Sequence, residues 1–169
     1  MEIQIIYYSK YGSTREIAES LAKKLETQNV SDVTEQPAIT GDLIIIGSGI
    51  YKETAHKDIL LLLADEGKTL QDKEVAVFVV CANKKRTKIK NMEGGGPVYI
   101  EKMEKALRRT PIAAKIFGGR MILDKMDDED RERTEQFAKR VGMPLKDVDI
   151  MSVTEVDEFV QELKGKFNL

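Results

Sequence analysis

Two uninterrupted apolar stretches, Leu43-Ile44-Ile45-Ile46 and Val75-Ala76-Val77-Phe78-Val79-Val80, constrain this chain more than any other feature of its sequence. A strand with one face in water alternates apolar and polar residues, whereas a strand apolar at every position needs cover on both faces. Helices supply that cover when the sheet is parallel, so the architecture is layered. Strand patterns fall at Glu2–Tyr8, Val30–Thr34, Leu43–Gly47, Glu74–Cys81 and Ala114–Phe117. Amphipathic stripes lie between and after them: Ile17, Leu21 and Leu25; a largely buried helix over His56–Ala64; Tyr99, Met103 and Leu107; a highly charged 127–141. Thr154-Glu155-Val156-Asp157 resembles a capping box ahead of Phe159, Val160 and Leu163. The expected order is β-α-β-β-α-β-α-β-α-α, an α/β fold with right-handed crossovers. Glu35–Asp42 is expected to hold a brief helix or none, and Ala82–Pro97 a long loop of the kind that is often functional.

Length and charge narrow the possibilities. The 169 residues suit a single domain over 1–169, and 41% apolar with 33% charged residues is an ordinary globular balance. A net charge of −2 argues against nucleic-acid binding. No apolar run is long enough for stable membrane insertion, and the N-terminus opens directly into a strand pattern, so a cytoplasmic protein is expected. Cys81, the only cysteine, cannot form an internal disulfide or by itself a cysteine-ligated metal site. No metal site and no catalytic acid–base set is expected.

The loop after the first strand carries the chemistry. Tyr7-Tyr8-Ser9-Lys10-Tyr11-Gly12-Ser13-Thr14 gathers three hydroxyls where a helix begins. Unpaired amides at a helix N-terminus attract anions, and Gly12 allows a tight turn with close backbone approach. The Gly-x-x-x-x-Gly-Lys-[Ser/Thr] and Gly-x-Gly-x-x-Gly spacings are both missing, so a single terminal phosphate suits this loop better than a pyrophosphate. The same residue types also make an ordinary helix cap.

Tyr7-x-Ser9-x-x-Gly12-x-Thr14-x-x-x-Ala18-x-x-Leu21 resembles the flavodoxin signature. The resemblance continues through Ile44-Ile45-Ile46-Gly47-Ser48-Gly49-Ile50-Tyr51 and covers the chain. The likeness is greatest to the flavodoxin-domain group that includes menaquinone-dependent protoporphyrinogen oxidase, which shares the opening motif and the Gly118-Gly119 after the last strand. It implies a three-layer αβα sandwich around a five-stranded parallel sheet of order 2-1-3-4-5, with FMN at the strand-order switch; flavodoxin itself is the standard example of that rule. By analogy the phosphate is held by Ser9, Lys10, Tyr11, Gly12, Ser13 and Thr14. The ring lies between Ser48, Gly49, Ile50, Tyr51, Lys52 on one side and Cys81, Ala82, Asn83, Lys84 on the other. Tyr51 is the aromatic expected to stack on the ring, although it could equally cap the sheet edge. Gly49 could reorient its peptide toward the flavin. Cys81 reads as a small buried hydrophobe and His56 as a helix-start residue.

Lys84, Lys85, Arg86, Lys88 and Lys90 depart from the acidic surroundings usual in that family. They read either as a solvated charge run or as a device that raises the flavin potential and attracts acidic partners. The resemblance implies electron transfer with a redox partner protein or a small-molecule donor or acceptor. Alternatives are a protoporphyrinogen oxidase-like enzyme and a non-catalytic interaction module. Quinone coupling at a membrane fits poorly, because Asp124–Arg133 is acidic and lacks aromatics. A signalling receiver domain would need acidic residues where Tyr8-Ser9 and Ser48 stand.

Overall fold

A computed structural model describes residues 1–65 and 69–167. Its sheet contains β1 (Ile3–Tyr8), β2 (Val30–Asp32), β3 (Leu43–Tyr51), β4 (Glu74–Cys81) and β5 (Ala113–Gly118), these five parallel to one another and ordered β2-β1-β3-β4-β5. This is the 2-1-3-4-5 arrangement expected from the sequence. The helices are α1 (Ser13–Lys24), α2 (Lys57–Ala64), α3 (Gly96–Leu107), α4 (Asp128–Val141) and α5 (Val153–Phe167).

The pleat divides the strands between two cores. Ile3, Ile5, Ile45, Phe78 and Phe117 pack with Ile17 and Leu21 of α1 and with Phe159 and Leu163 of α5. Ile6, Ile44, Ile46, Val77 and Val79 pack on the opposite face with Ile59 and Leu63 of α2 and Ile100, Met103 and Leu107 of α3. The continuous apolar runs thus reflect cover on both sides. Phe78 lies against Gly47, where a Cβ would come within 1.9 Å of its ring. Phe117 meets Phe78 edge-on at 5.5 Å and Phe159 at 5.7 Å. Each such pair contributes about 0.5–1.5 kcal/mol beyond its buried area.

Several boundaries differ from the sequence expectation. β3 runs on to Tyr51, so Ser48–Tyr51 is strand, and Thr54–Ala55 folds back antiparallel on it. β2 stops at Asp32 because its carboxylate accepts the Thr34 amide at 2.9 Å and starts a 3₁₀ turn, Val33–Glu35. The stretch expected as a long loop after β4 contains an antiparallel ribbon, Thr87–Ile89 with Met92–Gly94. α5 begins at Val153, which places Thr154 inside the first turn and not at the cap. α2 is not largely buried as expected: it packs one face on the sheet, burying Ile59 and Leu63, and leaves Leu61 67% exposed on the other. Among the described residues, no helix is long and apolar enough to cross a membrane.

After β5 the chain makes an excursion that the strand–helix alternation did not require. It leaves through Arg120–Met121, forms α4, and returns through Val148–Asp149, which pairs antiparallel with the outgoing strand. Ala138 is the buried residue of α4. That helix is attached by other means.

Candidate functional site

β1, β3 and β4 all end at one edge of the sheet, and the strand order reverses between β1 and β3. The loop leaving β1 reaches α1 through Gly12, whose φ of 103° lies in the left-handed region. Gly12 carries no side chain to cap the helix, and the first intrahelical bond is Glu16 N–H to the Gly12 carbonyl at 3.0 Å. The amides of Ser13 and Thr14 therefore lead the helix without intrahelical acceptors. A Cβ built on Gly12 would meet nothing within 4 Å, so the backbone here is open to a ligand. Ser9 Oγ accepts the Gly12 amide at 3.0 Å and shapes the turn. Thr14 is buried, with its hydroxyl toward Gly49, and the Ser13 hydroxyl accepts the Arg120 amide at 3.2 Å. The loop thus presents backbone N–H groups at the positive end of the helix dipole.

Lys10 and Tyr11 face α4. The Lys10 ammonium lies 2.6 Å from Asp127 and 2.7 Å from Asp130. Those two carboxylates hold the ammonium above the usual lysine range. The Tyr11 phenol donates to Asp130 at 2.5 Å and accepts the Asp127 amide at 3.2 Å. Burial alone would raise the Asp130 carboxyl, but the bonds from Lys10 and Tyr11 outweigh it and hold the group below the ordinary value. Lys52 reaches Glu129 at 3.0 Å across exposed surface. Farther along, Arg120 bridges Glu16 of α1 at 2.6 Å and Asp149 at 3.0 Å. The highly charged helix is thus fastened to the β1–α1 loop by its acidic first turn.

The second loop turns inward. Tyr51 curls over Gly49, its phenol accepting the Lys10 amide at 2.7 Å. Burial pushes the phenol up to about 12, so it is neutral at physiological pH. Its ring stands edge-on to Tyr8 at 5.6 Å and tilted to Tyr11 at 6.3 Å. Ser48 is fully buried; its hydroxyl donates to the Gly49 carbonyl at 2.7 Å and accepts the His56 amide at 3.0 Å. Ile50 pairs with Ala55 across the short antiparallel turn. At that turn Lys52 and Glu53, both left-handed with φ of 54° and 61°, reach opposite ways. Lys52 goes to α4, while Glu53 accepts the Tyr99 phenol at 2.5 Å. His56 caps α2, its Nδ1 accepting the Asp58 amide at 3.2 Å, and stacks on Tyr8 at 3.6 Å. Burial lowers its pKa, which keeps Nδ1 free to accept.

The third loop begins at Cys81, a buried thiol that burial pushes up to about 11. It donates to the Asn83 carbonyl at 3.2 Å. Ala82 and Asn83 are exposed, and the Asn83 amide side chain bonds Thr87 Oγ1 at 3.1 Å. Lys84 pairs with Glu155, whose other oxygen accepts the Gly118 amide at 3.0 Å. The structure therefore gathers the residues singled out in all three loops at one edge. It turns Ser48, Tyr51 and Lys84 toward protein partners. Sequence reasoning missed Asp127, Glu129 and Asp130, and also the Glu53–Tyr99 contact; these partners are 46 to 120 residues apart along the chain, and no local pattern connects them. Among the described residues, no group of three or more His, Cys, Asp or Glu side chains is placed to hold a metal ion.

A flavodoxin domain family model matches residues 4–139. Among solved structures, a Fusobacterium nucleatum flavodoxin bound to flavin mononucleotide aligns over 99% of both chains with a TM-score of 0.55 and 13% identity. The rubredoxin oxygen:oxidoreductase of the anaerobe Desulfovibrio gigas aligns over 99% of this chain and 37% of its own, with a TM-score of 0.50 and 14% identity. Oxidised flavodoxin 1 from Bacillus cereus aligns over 86% of this chain and 100% of its own, with a TM-score of 0.47 and 22% identity. At such identities the likeness is one of fold. No curated protein matches the sequence.

Proposed function

The chain belongs to the flavodoxin-domain family, and from that premise we propose that it binds FMN at the C-terminal edge of its sheet and transfers electrons to a redox partner. The observation that carries this is the start of α1: leading amides without a side-chain cap, a left-handed Gly12 with open space beside it, and the Ser9 and Thr14 hydroxyls close by. A terminal phosphate suits that donor set, because helix dipole and amides favour a dianion that needs no buried counter-charge. Ser13 and Thr14 would supply amides to the phosphate. Gly49–Lys52 and Ala82–Lys84 would flank the ring.

The bound cofactor supplies reversible redox chemistry, and the chain positions and tunes it. Its own residues do the rest. Glu53, Tyr99 and Gly94 close the gap between the turn after β3 and the ribbon after β4. Cys81, at the start of the third loop, stays a neutral thiol.

Titration with FMN and with riboflavin, which lacks the phosphate, tests the proposal. Hydrogen bonds to a charged group contribute about 1.5–3 kcal/mol each, so FMN should bind at least about tenfold more tightly than riboflavin. Equal affinities, or a protein that takes up neither flavin, would refute it.

A further inference from the structure

We infer that the ribbon Thr87–Gly94 is the docking element for an electron-transfer protein that presents carboxylates, an inference that rests on the FMN reading. The base of the ribbon is fixed to both loops expected to flank the ring. The Gly96 amide donates to the Asn83 carbonyl at 2.8 Å, and Asn83 bonds Thr87 at 3.1 Å. Gly95, with φ of 97°, packs where a Cβ would come within 1.9 Å of the Lys85 carbonyl oxygen. Gly94 lies against Glu53 and the Tyr99 phenol. The ribbon therefore projects from the mouth of the site as part of its rim.

Its basic residues fall into two groups. At the base, Lys84 is neutralised by Glu155, and Arg86 by Glu93 at 3.3 Å and by Glu101. Lys85, Lys88 and Lys90 are exposed, and their side chains make no hydrogen bond or ion pair among the described residues. Lys88 stands opposite Glu93 in the ribbon register, but Glu93 is already engaged by Arg86. Two uncompensated positive charges, Lys88 and Lys90, thus lie on the ribbon and a third, Lys85, at its base, in a chain whose net charge is −2. Met92, 53% exposed at the same tip, adds apolar contact area. A projecting basic tip with an apolar side chain matches a protein face better than a small free anion, which would gain nothing from Met92. At the start of α4, Asp127 and Asp130 are paired with Lys10, and Glu129 with Lys52 and Arg133. The unpaired lysines therefore dominate the local field, and an acidic partner is steered to the ribbon.

The sign of the salt effect provides the test. The dithionite-reduced, FMN-loaded protein is mixed with native cytochrome c, which is basic, and with succinylated cytochrome c, whose lysines have become carboxylates. Each ferric haem gains one electron, and two haems are reduced for each two-electron-reduced flavin. If net charge governed encounter, the acidic probe would react faster as salt rises. If the ribbon governs it, the acidic probe reacts faster at low salt and slows as salt rises. Lys88→Glu with Lys90→Glu should cut the low-salt rate with the acidic probe about tenfold, raise that with native cytochrome c, and leave the rates at high salt unchanged. A wild-type rate with the acidic probe that climbs with salt, or a double variant indistinguishable from wild type, overturns the inference while leaving FMN binding intact. A protein that takes up no FMN overturns both.

Discussion

Replacing Asp130 with Asn asks whether α4 is held to the β1–α1 loop by charge. The Asp130 side chain is 13% exposed and receives the Lys10 ammonium at 2.7 Å and the Tyr11 phenol at 2.5 Å. Hydrogen bonds to charged groups contribute about 1.5–3 kcal/mol, and exposed ion pairs about 0.2–1 kcal/mol. Lys10 is 33% exposed and keeps Asp127 as a second acceptor, which places the loss toward the lower range. We expect Asp130→Asn to loosen α4 by about 1–2 kcal/mol, with a coupling to Lys10→Met of about 1 kcal/mol in a double-mutant cycle. With Ala138 as its buried anchor, the helix should respond by local opening before the sheet does. Native-state hydrogen exchange should show its amides exchanging about 5–30-fold faster, with β3 and β4 unchanged. The pH dependence follows from the two shifts. Asp130 is held below its ordinary value, so its contribution is complete above the usual carboxylate range and is lost as pH falls through the lowered value. Lys10 is raised, so its contribution is complete below the usual lysine range and is lost only as pH rises through the raised value. Protection of α4, corrected for intrinsic exchange, should hold across neutral pH and fall below about pH 4. Exchange of α4 within twofold of wild type in Asp130→Asn would refute attachment by charge.

Tyr51→Phe removes the acceptor of the Lys10 amide; fluorescence titration should show FMN binding about 2–10-fold more tightly, as one competing hydrogen bond of about 0.5–1.5 kcal/mol disappears. Unchanged or weaker binding would mean that the phenol does not compete. Gly47→Ala drives a methyl group into the fully buried Phe78 ring, and urea melts should show a loss of about 1–3 kcal/mol or more. Cys81, pushed up to about 11, should resist iodoacetamide at pH 8 in the native protein. Once unfolded in urea its thiol returns to about 8.5 and should react readily.

The sheet was readable because its information is local. Val75–Val80 can be apolar at every position only if both faces are covered, and the structure covers them with Ile17 and Phe159 on one side and Met103 on the other. The α1 loop was readable for the same reason: Ser9, Gly12 and Thr14 lie within six residues. What escaped depends on distant partners. Nothing near Lys10 announces Asp127 and Asp130, which meet it only because the excursion after β5 folds back over the loop. The flavodoxin likeness placed Tyr51 beside the cofactor, but the direction of its ring is set by the Lys10 amide and by Tyr8 and Tyr11. Thr154 offered a plausible cap, and Val153 was already in the helix. The ribbon after β4 was obscured because its turn residues, Lys90 and Asn91, sit in a charged run that reads as loop.

The excursion after β5 leaves and re-enters the fold at nearly one point. The Gly119 amide reaches the Cys81 carbonyl at 3.0 Å, and the Ile150 amide reaches the Gly119 carbonyl at 3.1 Å. Joining two ends already in contact requires only a tight turn, and loop-closure cost grows slowly, by about 0.6 kcal/mol for each doubling of length. The intervening residues are therefore a cassette. A short linker between Gly119 and Ile150 would leave β5 and α5 in place and release Lys10 and Lys52 from their carboxylates, so the same scaffold can carry a bare or a covered cofactor edge according to what is spliced in there.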